Sequence, residues 1–129
     1  MVIDDDLEVA RSIQRTLHDH EVWIETDSVR GMARAARAEL EGVPFGLVLC
    51  NFTMPGMSGV DVLVALRSHL EPPACILMSD YEHVVDAALI ADAVVIKPFD
   101  SDEVRDTIAH VKAARSRAAT RRIQPARYA

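Results

Sequence analysis

Short apolar runs alternate along the chain with longer segments in which apolar residues recur every three or four positions. The runs predict strands, and the periodic segments predict helices, as in the stripe formed by Val9, Ile13 and Leu17. Five strands are predicted in this way, at residues 2–3, 22–24, 47–50, 75–78 and 94–96. A helix is predicted after each strand, so the chain repeats a strand-helix unit five times.

This alternation predicts an α/β fold in which helices cover both faces of a parallel sheet, with right-handed connections between strands. The runs at 47–50 and 75–78 are apolar without alternation, which is typical of strands buried on both faces. The run at 22–24 is followed at once by the polar residues Glu25 and Thr26, which favours an edge strand. Two central strands and one edge strand are therefore expected.

The fifth helix and the segment after it set the expected domain boundary. The helix is predicted to begin after Asp100, because Asp100 and Glu103 have the spacing of a capping box. Beyond Ala118 the apolar periodicity is lost, and we expect the remaining segment to be mobile. We predict one domain over residues 1–113, followed at 114–129 by a basic helical extension or a disordered tail.

Composition and charge narrow the class of protein. Half of the 129 residues are apolar and 26% are charged, the balance of an ordinary globular protein. No apolar stretch reaches the roughly 18 residues that span a bilayer, and the N-terminus lacks a basic and apolar leader, so we expect a cytoplasmic protein without membrane contact. Residues 104–129 carry seven basic and one acidic side chain, a charge of +6, which leaves −12 on residues 1–103 of a chain with net charge −6. The basic end is either a solvated helix face or a contact surface for nucleic acid or an acidic partner.

Polar side chains follow four of the predicted strands, at the sheet edge where doubly wound proteins bind ligands. They are Asp4, Asp5 and Asp6 after the first strand, Asn51 and Thr53 after the third, Ser79 and Asp80 after the fourth, and Lys97 after the fifth. Taken singly, an acidic cluster is also typical of a helix start and a serine of a turn. Taken together, carboxylates, a hydroxyl and an ammonium at one edge have the chemistry to bind magnesium and a phosphoryl group.

Four motifs carry a resemblance to a known family. They are VIDDD at residues 2–6, LVLCNFTMPGMSGVDVLVALR at residues 47–67, ILMS at residues 76–79 and VIKPF at residues 95–99. Together they resemble the receiver domain of bacterial two-component response regulators, over about residues 1–113. The resemblance implies a flavodoxin-like doubly wound fold with a five-stranded parallel sheet in the order 2-1-3-4-5. It also implies a role in signal transduction by phosphorelay, as a signalling module and not an enzyme.

The resemblance assigns roles to the polar residues at the strand ends. In that family an aspartate at the end of the third strand accepts a phosphoryl group from a histidine kinase. By position, Asp4 and Asp5 are the acidic pair that holds magnesium, together with a backbone carbonyl near Thr53. Ser79 and Lys97 are the residues that contact the phosphoryl group, and the peptide bond after the lysine is often cis.

The phosphoacceptor position of this chain is Asn51, where the family has aspartate. An ionised carboxylate can attack phosphorus, but a carboxamide has a delocalised nitrogen lone pair and is a poor nucleophile. We therefore expect no phosphorylation at Asn51. The substitution also removes one negative charge from the magnesium site, so magnesium binding at Asp4, Asp5 and the Thr53 carbonyl is expected to be weak or absent.

Three further features depart from the family. The residue three positions before the lysine, often an aromatic that reports phosphorylation, is Val94. The segment from Ser79 to Lys97 is roughly four residues short, about one helical turn, so we expect the fourth helix to be short or irregular. Only Met1, Val2 and Ile3 precede the acidic cluster, so either the first strand is cut short or the start of the chain is misplaced or trimmed.

These departures favour a pseudo-receiver, which acts without phosphorylation by binding a protein partner: a kinase, an output domain or a second copy of the chain. For a homodimer, the expected surface is the face formed by the fourth helix, fifth strand and fifth helix. The fourth helix contributes Val85, Ala88 and Leu89 to that face, unless these residues instead complete the core.

Two alternatives remain open from the sequence. The chain is a working phosphoacceptor if Asn51 is an engineered substitution, or if another group such as the hydroxyl of Thr53 or Ser79 takes the phosphoryl group. Contact with nucleic acid through the basic end is a second alternative, which the scarcity of aromatic residues there makes less favoured. An enzymatic role has no support from a phosphate-binding glycine loop, a catalytic triad or a metal-binding His/Cys cluster.

Overall fold

Five strands and five helices alternate along residues 1–123, the part of the chain that this computed structural model describes. They are β1 (Val2–Ile3), α1 (Leu7–Thr16), β2 (Ile24–Glu25), α2 (Ser28–Leu40), β3 (Leu47–Asn51), α3 (Gly59–Arg67), β4 (Ala74–Ser79), α4 (Val84–Ile90), β5 (Ala93–Ile96) and α5 (Ser101–Ile123). The strands form one sheet in the order β2-β1-β3-β4-β5, and every neighbouring pair is parallel. The predicted doubly wound fold, strand order and edge position of the second strand are confirmed.

The hydrophobic core has two parts, one on each face of the sheet. Alternate residues of β3 separate to the two sides: Val48 and Cys50 pack with α2, α3 and α4, whereas Leu49 packs with α1 and α5. All six residues of β4 are buried. Burial on both faces explains why these two strands are continuously apolar in the sequence, because neither face meets water.

The register of the sheet brings the carboxyl ends of the central strands together. Asn51 is paired with Met78 across β3 and β4, and Ser79 is paired with Ile96 across β4 and β5. One residue further along, the backbone N–H of Lys97 donates to the carbonyl of Ser79 at 2.7 Å. Polar residues from different strands therefore meet at one edge, as parallel pairing requires.

Helix α4 is short, as the sequence predicts, with seven residues at Val84–Ile90. Its N-cap residue, His83, makes no side-chain hydrogen bond to the first turn. At the start of α5, by contrast, the side chain of Asp100 accepts a hydrogen bond from the backbone N–H of Glu103 at 2.8 Å. The Asp100 half of the predicted capping box is thus present.

Helix α5 continues to Ile123, five residues beyond Ala118, where the apolar periodicity of the sequence is lost. The cause is intrinsic propensity: alanine and arginine, which dominate this segment, are strong helix formers and need no apolar stripe to extend an existing helix. The predicted mobility of residues 124–129 falls outside the described residues.

Within residues 1–123, no helix combines the length and apolar character needed to cross a bilayer.

Candidate functional site

The carboxyl edge of the sheet carries the side chains that the sequence assigned to the site. Asp4 follows β1, Asn51 ends β3, Ser79 ends β4 and Lys97 follows β5. Asp4 and Ser79 are buried, Asn51 is half-buried and Asp5 is exposed. Four separate strands therefore contribute to one cluster of strand-end residues, called the pocket below.

The side-chain amide of Asn51 joins two of the predicted site residues. Its Nδ2 donates one hydrogen bond to Oδ1 of Asp5 at 3.0 Å and another to the backbone carbonyl of Thr53 at 2.8 Å. Both neighbours are acceptors only, so the nitrogen of the amide must face them and the oxygen must face away. Both amide hydrogens are in use.

Lys97 neutralises the buried carboxylate of Asp4. Its Nζ donates to Oδ2 of Asp4 at 2.9 Å, and the other oxygen, Oδ1, accepts from the backbone N–H of Asp6 at 2.9 Å. Burial of Asp4 raises the pKa of its carboxyl group by desolvation, and the hydrogen bond from Lys97 opposes that increase. The ion pair spans β1 and β5 and therefore ties the two sides of the pocket together.

The three consecutive aspartates have three separate tasks. Asp4 pairs with Lys97, and Asp5 accepts from Asn51. Asp6 is the N-cap of α1, where its side chain accepts from the backbone N–H groups of Glu8 and Val9. The helix-start interpretation of this cluster is thus correct for Asp6, whereas Asp4 and Asp5 contact other residues at the carboxyl edge of the sheet.

Ser79 lies at the predicted position, but its hydroxyl is engaged locally. The Oγ donates to the backbone carbonyl of Asp80 at 3.0 Å.

The Lys97–Pro98 peptide bond is cis, as the resemblance implies. Val94 is half-buried against the core on the α4 side of the sheet, in the place where many receivers have an aromatic side chain.

Two aromatic rings beside the pocket were not identified from the sequence. Phe52, directly after Asn51, stacks on His83 with ring centroids 5.2 Å apart, and Nδ1 of His83 lies 2.8 Å from Oδ1 of Asp80. That hydrogen bond lowers the pKa of the Asp80 carboxyl group. The sequence does place an aromatic residue, Phe52, in an otherwise polar loop. Nothing in the residue spacing, however, indicated that Phe52 contacts His83, the residue before α4.

The oxygen atoms at the strand ends do not meet the requirements of a magnesium ion. Magnesium requires octahedral oxygen ligands at about 2.0–2.1 Å, of which one or two are usually carboxylates and several are waters. Here two of the three expected ligands, the Asp5 carboxylate and the Thr53 carbonyl, accept from the Asn51 amide, and the third, Asp4, is paired with Lys97. Among residues 1–123, no group of three or more His, Cys, Asp or Glu side chains is arranged to hold a metal. The residues present do not fit the ion while the amide is in place.

A five-stranded parallel sheet with this edge defines the class of doubly wound α/β domains that bind ligands at the carboxyl ends of their strands. A family model described as the response regulator receiver domain matches residues 1–109. The chain belongs to the response regulator receiver domain family, and the resemblance in its motifs is confirmed.

Curated relatives agree with this assignment. The chain is 35% identical over 127 residues to "Transcriptional regulatory protein KdpE" of Mycobacterium tuberculosis (strain CDC 1551 / Oshkosh), a match that covers 95% of this chain and 50% of that protein. It is 35% identical over 95 residues to "Sensory transduction protein RegX3" of Mycolicibacterium smegmatis, covering 71% of this chain and 40% of that protein. The chain thus spans half or less of the length of these relatives.

Solved structures agree on the fold. A response regulator receiver domain protein from Clostridium thermocellum has a TM-score of 0.77 at 21% identity, over 89% of this chain and 94% of that one. A CheY-like receiver domain protein from Methanospirillum hungatei has a TM-score of 0.69 at 22% identity, over 90% of this chain and 95% of that one. At this level of identity the similarity concerns the fold alone.

Proposed function

We propose that this receiver domain signals by binding protein partners and is not phosphorylated at its third strand. The observation that carries the proposal is the arrangement of Asn51, whose amide nitrogen donates two hydrogen bonds at the pocket edge. A carboxamide with both hydrogens engaged has neither the charge nor the lone pair to attack phosphorus. The domain is proposed to be a binding module and not an enzyme.

The exposed face of α4 supports the choice of a protein partner. Val85 and Leu89 are 68% and 79% exposed, and Tyr81, just before the helix, is 80% exposed. Ala88 lies on the same exposed face, so these residues do not complete the core. Exposed apolar side chains on one short helix are typical of a protein contact surface. A kinase, an output domain or a second copy of the chain in a homodimer are the candidate partners.

Three of the six basic residues of α5 make contacts that support a structural role for them over nucleic-acid binding. Arg105 donates to the carbonyl of Thr16, and Nζ of Lys112 lies 2.7 Å from Nε2 of His20. Arg115 donates to the carbonyls of Pro72 and Pro73 at 2.9 and 3.1 Å, as a hydrogen-bonded clamp. Three basic side chains that the sequence placed in a charged end therefore contact the body of the domain.

A working phosphoacceptor is the second candidate, through an engineered Asn51 or another acceptor. Its supporting observation is that Asp4, Asp5, Lys97 and Ser79 are otherwise in place at the strand ends. In this candidate the change Asn51→Asp alone is enough to give a phosphorylatable domain. The hydroxyl of Ser79 is a poor substitute acceptor, because it is buried and already donates to Asp80.

Intact-mass spectrometry separates the two candidates. The unmodified chain and Asn51→Asp are each incubated with magnesium and a small acyl phosphate. We expect no phosphorylated species for the unmodified chain, because no carboxylate occupies position 51. A stoichiometric adduct on the unmodified chain contradicts the proposal, and peptide mapping to Thr53 or Ser79 would identify a bypass. An adduct on Asn51→Asp alone shows that only the nucleophile is missing.

A further inference from the structure

The Asn51 amide lies between the two oxygen atoms that a magnesium ion would join in a receiver. We propose that the Asn51 carboxamide takes the place of the divalent cation, so that the pocket is closed by hydrogen bonds and needs no metal. The inference deepens the proposed function and rests on it, because a receiver that accepts no phosphoryl group has no use for an exchangeable cation. It makes the resting geometry of the β3–α3 loop independent of magnesium.

The geometry of the amide matches the task of bridging two acceptors. A carboxamide nitrogen carries two hydrogens that diverge in one plane, and each can satisfy one acceptor. Nδ2 uses one on Oδ1 of Asp5, at the start of the β1–α1 loop, and the other on the carbonyl of Thr53, in the β3–α3 loop. One atom thus fastens two loops from different strands, which is what a bound ion does through its coordination sphere.

The distances make the amide and the ion mutually exclusive. The nitrogen lies 3.0 Å from Asp5 and 2.8 Å from Thr53, whereas a magnesium ion requires oxygen ligands at about 2.0–2.1 Å. An ion in this position therefore has to draw both oxygens inwards and expel the amide. The free energy of magnesium binding must first offset the loss of the two hydrogen bonds that the amide makes.

The charge of the pocket also favours the amide over the cation. Asp4, Asp5 and Lys97 sum to −2 + 1 = −1, whereas an aspartate at position 51 would make the sum −2. The charge of Asp4 is already opposed by Lys97 at 2.9 Å. The carboxylate of Asp5 is the remaining charge, and a single partly hydrated carboxylate is a weak magnesium site.

Thermal unfolding of three forms of the full chain tests the inference, each in EDTA and in about 10 mM magnesium. The unmodified chain is expected to show the same melting temperature in both conditions. Asn51→Asp is expected to melt about 5–10 °C lower in EDTA, from two lost hydrogen bonds and repulsion by Asp5, and to recover about 5 °C in magnesium. Asn51→Leu, a control of similar shape without donors or charge, is expected to melt below the unmodified chain and to ignore magnesium.

Two results would overturn the inference. One is a rise in the melting temperature of the unmodified chain with magnesium that equals the rise of Asn51→Asp. The other is an Asn51→Leu protein as stable as the unmodified chain, because the amide would then contribute nothing. Magnesium stabilisation without a mass adduct refutes this inference and leaves the proposed function standing; an adduct on the unmodified chain refutes the proposed function itself.

A second measurement on the unmodified chain covers the case in which Asn51→Asp does not fold. The side-chain amide of Asn51 is followed by NMR during a magnesium titration. Two hydrogen-bonded, slowly exchanging protons with unchanged chemical shifts are expected, because the amide is not displaced. A saturable shift or loss of these two signals on adding magnesium shows that the ion displaces the amide and overturns the inference.

Discussion

Gly59→Ala is expected to lower the free energy of unfolding by about 3 kcal/mol, because the added methyl group meets backbone that cannot move aside. A Cβ at this position would lie 2.5 Å from the carbonyl oxygen of Asn51 and 2.9 Å from Cα of Phe52. The backbone N–H of Gly59 also donates to the carbonyl of Phe52 at 2.9 Å, so separation of the two segments breaks that bond. Urea unfolding followed by circular dichroism measures the loss.

Gly46→Ala is the matched control for this prediction. A Cβ added at Gly46 meets no atom within 4 Å, so the same substitution is expected to change stability by less than about 0.5 kcal/mol. Equal stabilities of the two variants would contradict the account, since the contact between α3 and the end of β3 would then not be tight. The comparison separates this clash from any general effect of replacing glycine.

Lys97→Met is expected to destabilise the fold by about 2–4 kcal/mol at neutral pH, because it leaves a buried carboxylate without its partner. Asp4 has no exposed surface, and Nζ of Lys97 is the positive group at 2.9 Å from it. The exposed part of Lys97, 28% of its side chain, keeps the estimate below that for a fully buried pair. Chemical denaturation gives the value directly.

The double variant Asp4→Asn with Lys97→Met tests whether the unpaired charge of Asp4 causes the loss of stability. If the loss comes from the unpaired charge, removal of that charge should restore most of the stability, and the two substitutions should be strongly non-additive. Additive losses would show that Lys97 stabilises the protein through packing alone. The interpretation that Lys97 stabilises the fold by neutralising the buried Asp4 carboxylate would then be wrong.

The sequence predicted the strands that are buried on both faces more accurately than the edge strand. The runs behind β3 and β4 are continuously apolar, and each observed strand contains its predicted run. The second strand is observed at Ile24–Glu25, beginning at the last residue of its predicted run, because the polar residues Glu25 and Thr26 interrupt its apolar pattern. Propensity, and not burial, sustains the end of α5 beyond Ala118, so the apolar pattern could not define where this helix ends.

The membership of the site was predictable, but its internal bonding was not. Parallel strands bring their carboxyl ends to one edge, so Asp4, Asn51 and Lys97 had to be neighbours. The direction of the Asn51 amide depends on where the following loop places the Thr53 carbonyl, and no periodicity encodes that position. The stacking of Phe52 on His83 likewise depends on the short path into α4.

In the proposed function, Asn51 sets the pocket geometry of this receiver, and phosphate and magnesium do not. The most direct test is the backbone amide NMR spectrum of the unmodified chain before and after addition of magnesium and a small acyl phosphate. We expect superimposable spectra, because the pocket offers neither a nucleophile to the acyl phosphate nor an open site to the cation. Chemical-shift changes concentrated in residues 51–59 and in α4 would contradict it, since they would show that the domain still responds to phosphorylation chemistry.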